Sequence, residues 1–483
     1  MKKYLIIESF PNTPHLETSV EIALKLKKKN KVFFFWCGYD LPWKDWELPL
    51  YKKLLLFSYD RKVLKIIDFL KRNDITVIPK FSLSNTQSRF INNSIESFKN
   101  YNKIKHYKYK NNISIGISAF SSLVSKHHTD DIKKFSNEIK PALKTGCIIF
   151  ERSFKVIQDI NPNAIITFNN RFVISKPIID AAKISKKKIL IHERGSQLNK
   201  YELYKGDIFD NNFIYKKIIK YWKSEKNIKK KINLSNKYFS LLEKKKFFLN
   251  KGINFEKSSQ NKIDLNTNKK IITYLCSTDH EYMSVSSKLN NFYINKKWSK
   301  QINTIKSVIQ LIKHEKNTVL YIKSHPNFSS KQNQENELRK LQTSNVIYLS
   351  NSDRVDTLYL IKNSHIIITF GSTLELYSLY LNKKVISFFR SFYCKFNLVI
   401  YPKNKNLLKK ALEKKEISMD RNIILKLRKI SYYLMTYGLN YKYYKSYDFS
   451  KGSLKNQTIN HYGVLINFLN RISFLKKLIK IDK

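Results

Sequence analysis

Two polar clusters, each closing an apolar run, hold the side chains best suited to chemistry in this chain. Thr318-Val319-Leu320-Tyr321-Ile322 runs into Lys323-Ser324-His325-Pro326-Asn327, and His365 to Phe370 runs into Gly371-Ser372-Thr373-Leu374-Glu375. A glycine permits a tight turn, Ser372 or Thr373 can cap a helix, and the free N–H groups of a helix start attract phosphate. The same residues also read as an ordinary capped crossover helix with nothing bound, because one Gly-Ser-Thr is a weak signal beside a full glycine-rich fingerprint.

Other polar groups close other apolar runs. Glu8 and His15 follow Tyr4 to Ile7, and Asn169-Asn170-Arg171 follow Asn163 to Phe168. His192-Glu193-Arg194-Gly195-Ser196 follow Lys188 to Ile191, and Cys276-Ser277-Thr278-Asp279-His280-Glu281 follow Ile271 to Leu275. In an open parallel sheet, ligands bind outside the carboxyl ends of the strands. Glu8, His15, Asn170, Arg171, Glu193 and Arg194 are therefore expected on one such edge, and Ser277, Thr278, Glu281 and His325 on another. On position alone His15 reads first as a surface loop histidine, and Glu193 with Arg194 can be a pair flanking a tight turn at Gly195. His127-His128-Thr129-Asp130-Asp131 is metal-capable by type, but sequence neighbours cannot all face one ion, so no metal site is expected.

Two sheets are needed to position these groups. The first is expected to contain strands Tyr4 to Ile7, Val32 to Cys37, Lys53 to Phe57, Ile75 to Pro79, Asn163 to Phe168 and Lys188 to Ile191. Helices Leu16 to Lys28, Asp130 to Lys144 and Val173 to Ala182 should accompany it, with a polar stretch from Asn85 to Asn112. Helices Ile214 to Lys231 and Leu234 to Phe248 lead to a connector, Gly252 to Lys270. The second sheet is expected from Ile271 to Leu275, Thr318 to Ile322, Val346 to Leu349, Ile366 to Phe370 and Lys384 to Phe388, with helices Lys300 to Lys313 and Leu374 to Leu381. The tail, Ile423 to Lys483, reads as helical and basic, with Leu465, Phe468, Leu469, Ile472, Leu475 and Ile479 at helical spacing. The expected fold class is α/β, two Rossmann-like doubly wound parallel-sheet domains facing a cleft, with C-terminal helices. The expected division is 1–250, a linker at 251–270, 271–425 and a tail at 426–483.

The formal net charge of +54 comes from 91 Lys+Arg against 37 Asp+Glu, with lysine far in excess of arginine. Such a charge favours anions in general. A nucleic-acid-binding surface would gather it into a stripe interleaved with aromatics, whereas here it is spread along the chain, so no nucleic-acid partner is expected. The four cysteines stand singly, without a Cys-x-x-Cys pair, which fits a reducing cytoplasmic location. The apolar run after Met1-Lys2-Lys3 ends at Glu8, too short for a signal peptide, and no run approaches a membrane span. The basic amphipathic segment Tyr215 to Lys223 could lie on anionic lipid or be a solvated helix face.

The segments "PHLETSVEIA", "FNNRFVISKPIIDAA", "HERGSQLNKYELY", "STDHEY", "YIKSHPNFSSK" and "SDRVDTLYLIKNSHIIITFGSTLELYSLYLNKKVIS" together give the chain its character. In them it resembles bacterial capsule and surface polysaccharide biosynthesis proteins of the glycosyltransferase-B type. The resemblance implies a transferase with a nucleotide-activated sugar as donor substrate and no other cofactor. It implies a glycan acceptor, lipid-linked or free, at the cytoplasmic face of the membrane. It assigns donor binding to Ser277, Thr278, Glu281, His325, Pro326, Asn327, Gly371, Ser372, Thr373 and Glu375, with His325 and the helix start facing the leaving phosphate in place of a metal. Among His15, Glu193 and Glu8 it implies an acceptor-side base, His15 first, flanked by Asn170, Arg171 and Arg194. The donor base, cytidine or uridine, stays open. A nucleotide-sugar epimerase of the same fold and a non-catalytic polysaccharide-assembly protein are the alternatives.

Overall fold

Strands covered on both faces read as unbroken apolar runs, and the computed structural model contains two such sheets, each in its own compact unit. It describes residues 1–44, 46, 59–129, 131–206, 208, 210–244, 263, 265, 268–278, 282, 293–326, 333–413, 420–447 and 452–459. The expected strand at Lys53 to Phe57, the residues Glu281 and Asn327, most of the connector and the apolar spacing from Leu465 to Ile479 lie outside these.

The first unit comprises 1–126, 132–207 and the chain from Gly438 on. Its strands are β1 (Lys3–Glu8), β2 (Lys31–Trp36), β3 (Thr76–Val77), β4 (Ala164–Phe168), β5 (Lys188–Arg194), β6 (Lys200–Tyr204) and β12 (Leu439–Asn440), in the order β12-β6-β5-β4-β1-β2-β3. The five strands β1 to β5 pair in parallel, and β6 and β12 extend the sheet antiparallel. Its helices are α1 (His15–Lys27), α2 (Tyr59–Arg72), α3 (Asn85–Glu96), α4 (Ile115–His127), α5 (Ser136–Ile160) and α6 (Lys176–Ile184). Ile6, Phe34 and Ile166, side by side in the register, pack with Leu16, Val20 and Ala23 of α1 and Val63, Ile66 and Leu70 of α2. The stretch read from sequence only as polar begins with α3, because Ser84 and Gln87 form a capping box there.

The second unit comprises 127–131 and 208–437. It contains α7 (Asn211–Ser224), α8 (Ile228–Glu243), α9 (Gln301–Ile312), α10 (Asn333–Arg339), α11 (Thr357–Asn363), α12 (Leu374–Tyr380), α13 (Lys405–Glu413) and α14 (Arg421–Thr436). Its strands β7 (Lys270–Leu275), β8 (Thr318–Lys323), β9 (Val346–Leu349), β10 (Ile366–Thr369) and β11 (Lys384–Ser387) run parallel in the order β11-β10-β7-β8-β9. One face packs Ile272, Leu320 and Ile368 on Ile305 and Val308 of α9 and Leu408 of α13; the other packs Ile271, Val319 and Tyr321 against Val355 and Leu360.

Two boundaries differ from expectation. Residues 211–243 belong to the second unit and not to the N-terminal domain: Ser235 Oγ of α8 donates to Arg428 O of α14 at 2.9 Å, and Phe239 stacks on Tyr380 at 4.1 Å. The apolar side of α7 is likewise occupied, with Ile218 buried, Tyr215 against Phe396 and Trp222 against Tyr432, so the helix keeps its lysines but has spent these aromatics on packing. Among the described residues the tail is helical only to Thr436. Gly438 then adopts φ +102°, and the chain enters β12 and the small antiparallel sheet β13 (Tyr444–Ser446), β14 (Gly452–Leu454) and β15 (Gln457–Thr458). Lys455 and Asn456, both at positive φ, make the hairpin turn between β14 and β15. No helix among the described residues is long and apolar enough to cross a membrane.

Candidate functional site

Both sheets reverse their strand order beside the first strand: β1 lies between β4 and β2, and β7 between β10 and β8. The crevice at such a reversal, outside the carboxyl ends of the strands, is where doubly wound sheets receive ligands.

In the first unit this edge carries the loop after β1. His15 is not a loop residue but the first residue of α1, its N–H donating to Asn12 O at 2.9 Å. Its ring lies 4.0 Å from Phe168, the last residue of β4, and 5.7 Å from Phe10. Burial above all, then the positive fields of Arg194, His192 and Lys62, hold its pKa well below 6.5. At neutral pH the imidazole is uncharged. Lys62 of α2 anchors the loop leading to it, bonding Glu17 Oε1 at 2.6 Å, Pro11 O at 2.6 Å and Thr13 Oγ1 at 2.7 Å.

Glu8 points inward and is only 1% exposed. Its Oε1 accepts Ser19 Oγ at 2.7 Å and lies 2.7 Å from His192 Nε2, so the expectation of a solvent-facing base at Glu8 is corrected: this carboxylate ties β1, α1 and β5 together. Glu193 and Arg194 are also repositioned. β5 runs through them to pair with β6, Glu193 opposite Glu202 and Arg194 opposite Tyr201, so they project to opposite faces. The turn begins at Gly195, where a Cβ would stand 2.6 Å from Lys200 Cβ. Glu193 Oε1 accepts Asn169 Nδ2 at 2.7 Å, while Asn169 Oδ1 accepts the N–H groups of Asn170 at 2.6 Å and Arg171 at 3.0 Å. The Arg171 guanidinium lies over the ring of Phe172, and burial lowers the pKa of Arg194 against the opposing charge of Glu193.

In the second unit, Thr369, Leu275 and Lys323 are neighbours in register, so the loops holding Gly371 to Thr373, Ser277 to Thr278 and Ser324 to Pro326 leave one edge. Gln301 clamps Ser277 through its backbone, accepting N–H at 2.8 Å and donating to the carbonyl at 3.0 Å. The Thr278 hydroxyl is buried without a partner among the described residues. Lys323 is buried, its pKa lowered by desolvation, and donates to Ser350 O at 3.0 Å. Asn351 fixes the next turn: Oδ1 accepts Ser324 Oγ at 2.9 Å, and Nδ2 donates to His325 O at 2.8 Å and Pro326 O at 3.0 Å. His325 is half-buried and Pro326 exposed.

The loop after β10 turns at Gly371, φ +83°, where a Cβ would meet Phe389 at 2.8 Å. Ser372 Oγ, not Thr373, accepts a first-turn amide, that of Leu374 at 3.2 Å. Glu375 does not reach the edge. It is fully buried, accepting Thr369 Oγ1 at one oxygen and Tyr393 OH at 2.7 Å at the other, and desolvation raises its pKa. This corrects its assignment to the donor: it fastens the strand end to the segment after β11.

Ser19, Lys62, Gln301, Asn351 and Tyr393 were not anticipated. Ser19 lies four residues after His15, one helical turn on, which is the spacing that could have drawn attention to it. The others come from distant segments, and nothing in their local sequence marks them. Among the described residues no cluster of three or more metal-capable side chains is present.

No protein-family model matches the chain, and no curated protein matches it. Solved structures with some likeness include the β-Kdo 2,7 transferase KpsC of Thermosulfurimonas dismutans, 12% identical, with a TM-score of 0.35 over 59% of this chain and 80% of that one. Another is the UDP co-structure of MnaA from S. aureus, 14% identical, with a TM-score of 0.27 over 90% and 92%. A third is the UDP-GlcNAc 2-epimerase of Neisseria meningitidis bound to UDP-GlcNAc, 11% identical, with a TM-score of 0.27 over 91% and 96%. Likeness at this level reaches neither a ligand nor a reaction.

Proposed function

We propose that this chain is a glycosyltransferase that moves a sugar from a nucleotide-activated donor to a hydroxyl of a surface-polysaccharide acceptor. The observation that carries the reading is the pair of strand-order reversals, with Gly371 to Thr373 and Ser277 to Thr278 at one and the His15 loop and Asn169 to Arg171 at the other. The two edges differ in chemistry. The second unit offers an anion the imidazole of His325 and the turn amides, whereas the first holds an uncharged imidazole. In the reaction the bond from the sugar's anomeric carbon to the phosphate oxygen breaks, its electron pair leaving with the phosphate. The acceptor oxygen bonds that carbon, and its proton passes to His15. The proposed location is the cytoplasmic face of the membrane, held by lysines such as those of α7 through anionic lipid.

The test is a melting screen with cytidine-monophosphate and uridine-diphosphate sugars, followed by mass analysis of the stabilising nucleotide's products with and without a glycan acceptor. Release of nucleotide with a heavier acceptor is expected. An epimerised sugar nucleotide formed without acceptor would replace this reading by an epimerase, and failure of every sugar nucleotide to stabilise the protein would remove both.

A further inference from the structure

The buried pair Lys62 and Glu17 does more than a fold requires. Both side chains are essentially inaccessible, at 0% and 1%, and taking two charges out of water usually costs as much as their attraction returns. An apolar pair of the same volume would serve packing at least as well. The geometry points to another use: the three contacts of the Lys62 ammonium fall on a short stretch that includes the turn into α1. They are Pro11 O at 2.6 Å, Thr13 Oγ1 at 2.7 Å and Glu17 Oε1 at 2.6 Å, and Thr13 Oγ1 also donates to Glu17 Oε1 at 2.9 Å. Asn12, inside this stretch, accepts the His15 N–H at 2.9 Å. One contact holds backbone at Pro11 and two hold side chains at Thr13 and Glu17, all within four residues of the imidazole, whose ring rests on Phe168 from a different strand.

We infer that Lys62 and Glu17 are positioning residues which hold the ring of His15 against Phe168. The pair makes the direction of one side chain a property of the buried interior. Its importance for transfer rests on the reading of His15 as base, but its effect on the ring does not. Besides Lys62, the groups acting electrostatically on that ring are Arg194 and His192.

The experiment compares the parent with the double variant Lys62→Met, Glu17→Gln, which removes both charges at nearly constant volume, and with Thr13→Val, which removes only the bridging hydroxyl. The double variant is expected to melt within a few degrees of the parent. In both, the magnetisation transfer between the His15 and Phe168 rings should weaken, and acylation of His15 by diethyl pyrocarbonate should accelerate, at least fivefold in the double variant and about twofold in Thr13→Val. Unchanged ring contacts and acylation rate in folded variants would overturn the proposal, whatever happened to transfer. A freed His15 with a transfer rate equal to the parent's would uphold the positioning role and remove His15 from the reaction.

Discussion

Nε2 of His192, on β5, lies 2.7 Å from Oε1 of Glu8, at the end of β1, and Oγ of Ser19 on α1 stands within 2.8 Å of both. Three elements that meet only in the folded unit are joined in a contact whose members are at most 1% exposed. In so dry a setting, a group that loses its partner cannot turn to water. Glu8→Ala should therefore cost about 1–3 kcal/mol for each buried group left without its partner, and Glu8→Gln clearly less. Ser19→Ala removes one hydroxyl and should cost about 1 kcal/mol. Denaturant melts of the three variants check the order.

His15 gives a pH dependence with a definite sign. Burial and neighbouring positive fields lower its folded pKa below 6.5, so the unfolded chain takes up the proton first as pH falls. Its contribution to stability is fully present above 6.5 and is lost progressively from there down to the folded pKa. Replacing it by glutamine should flatten this part of the stability curve. The ring of the parent should titrate by NMR well below 6.5, and the acid limb of transfer activity should follow that titration. A His15 titration at or above 6.5 would contradict this.

Glu21 bears on the return of the chain to the first unit. Its carboxylate accepts the N–H groups of Lys442 at 2.7 Å, Tyr443 at 2.6 Å and Tyr444 at 2.9 Å, and it pairs with Lys25 at 3.0 Å. Bonds to a charged acceptor are worth about 1.5–3 kcal/mol each when nothing replaces them. Glu21→Ala should open these three amides to hydrogen exchange by at least tenfold. Exchange there that matches the parent would show that β12 and its neighbours hold the segment without Glu21.

The strands were legible because burial on both faces leaves apolar runs such as Ile366 to Thr369, and the polar residues after them fall on the ligand-facing edges as parallel topology requires. Which polar residue faces outward was not legible. Glu8, Glu193 and Glu375 look alike in sequence, yet Glu8 is committed to His192, Glu193 to Asn169 and Glu375 to Tyr393, each a partner from elsewhere in the chain. The β-structure after Gly438 was hidden for a related reason. The backbone bonds that Glu21 supplies outweigh the helical look of a segment rich in lysine and tyrosine, and β6 was missed because the polar stretch beside Gly195 reads as a turn alone.

The last prediction separates the side chain of His325 from the frame that carries it. Asn351 holds the backbone of His325 and Pro326, and Lys323, just before them, is tied to Ser350. His325→Ala leaves that frame intact. If His325 faces the phosphate as charge develops, the variant should melt near the parent and keep its nucleotide-induced stabilisation while kcat falls on the order of a hundredfold. Asn351→Ala leaves two backbone carbonyls and the Ser324 hydroxyl without their partner, so it should lower the melting temperature and weaken nucleotide binding together. Thr278→Val supplies a third contrast. Its buried hydroxyl has no partner among the described residues, so the isosteric change should leave the free protein as stable or more so, and any loss must appear only with nucleotide bound. Should His325→Ala melt early yet turn over at the parent's rate, the histidine belongs to the packing of that turn and the phosphate is held elsewhere.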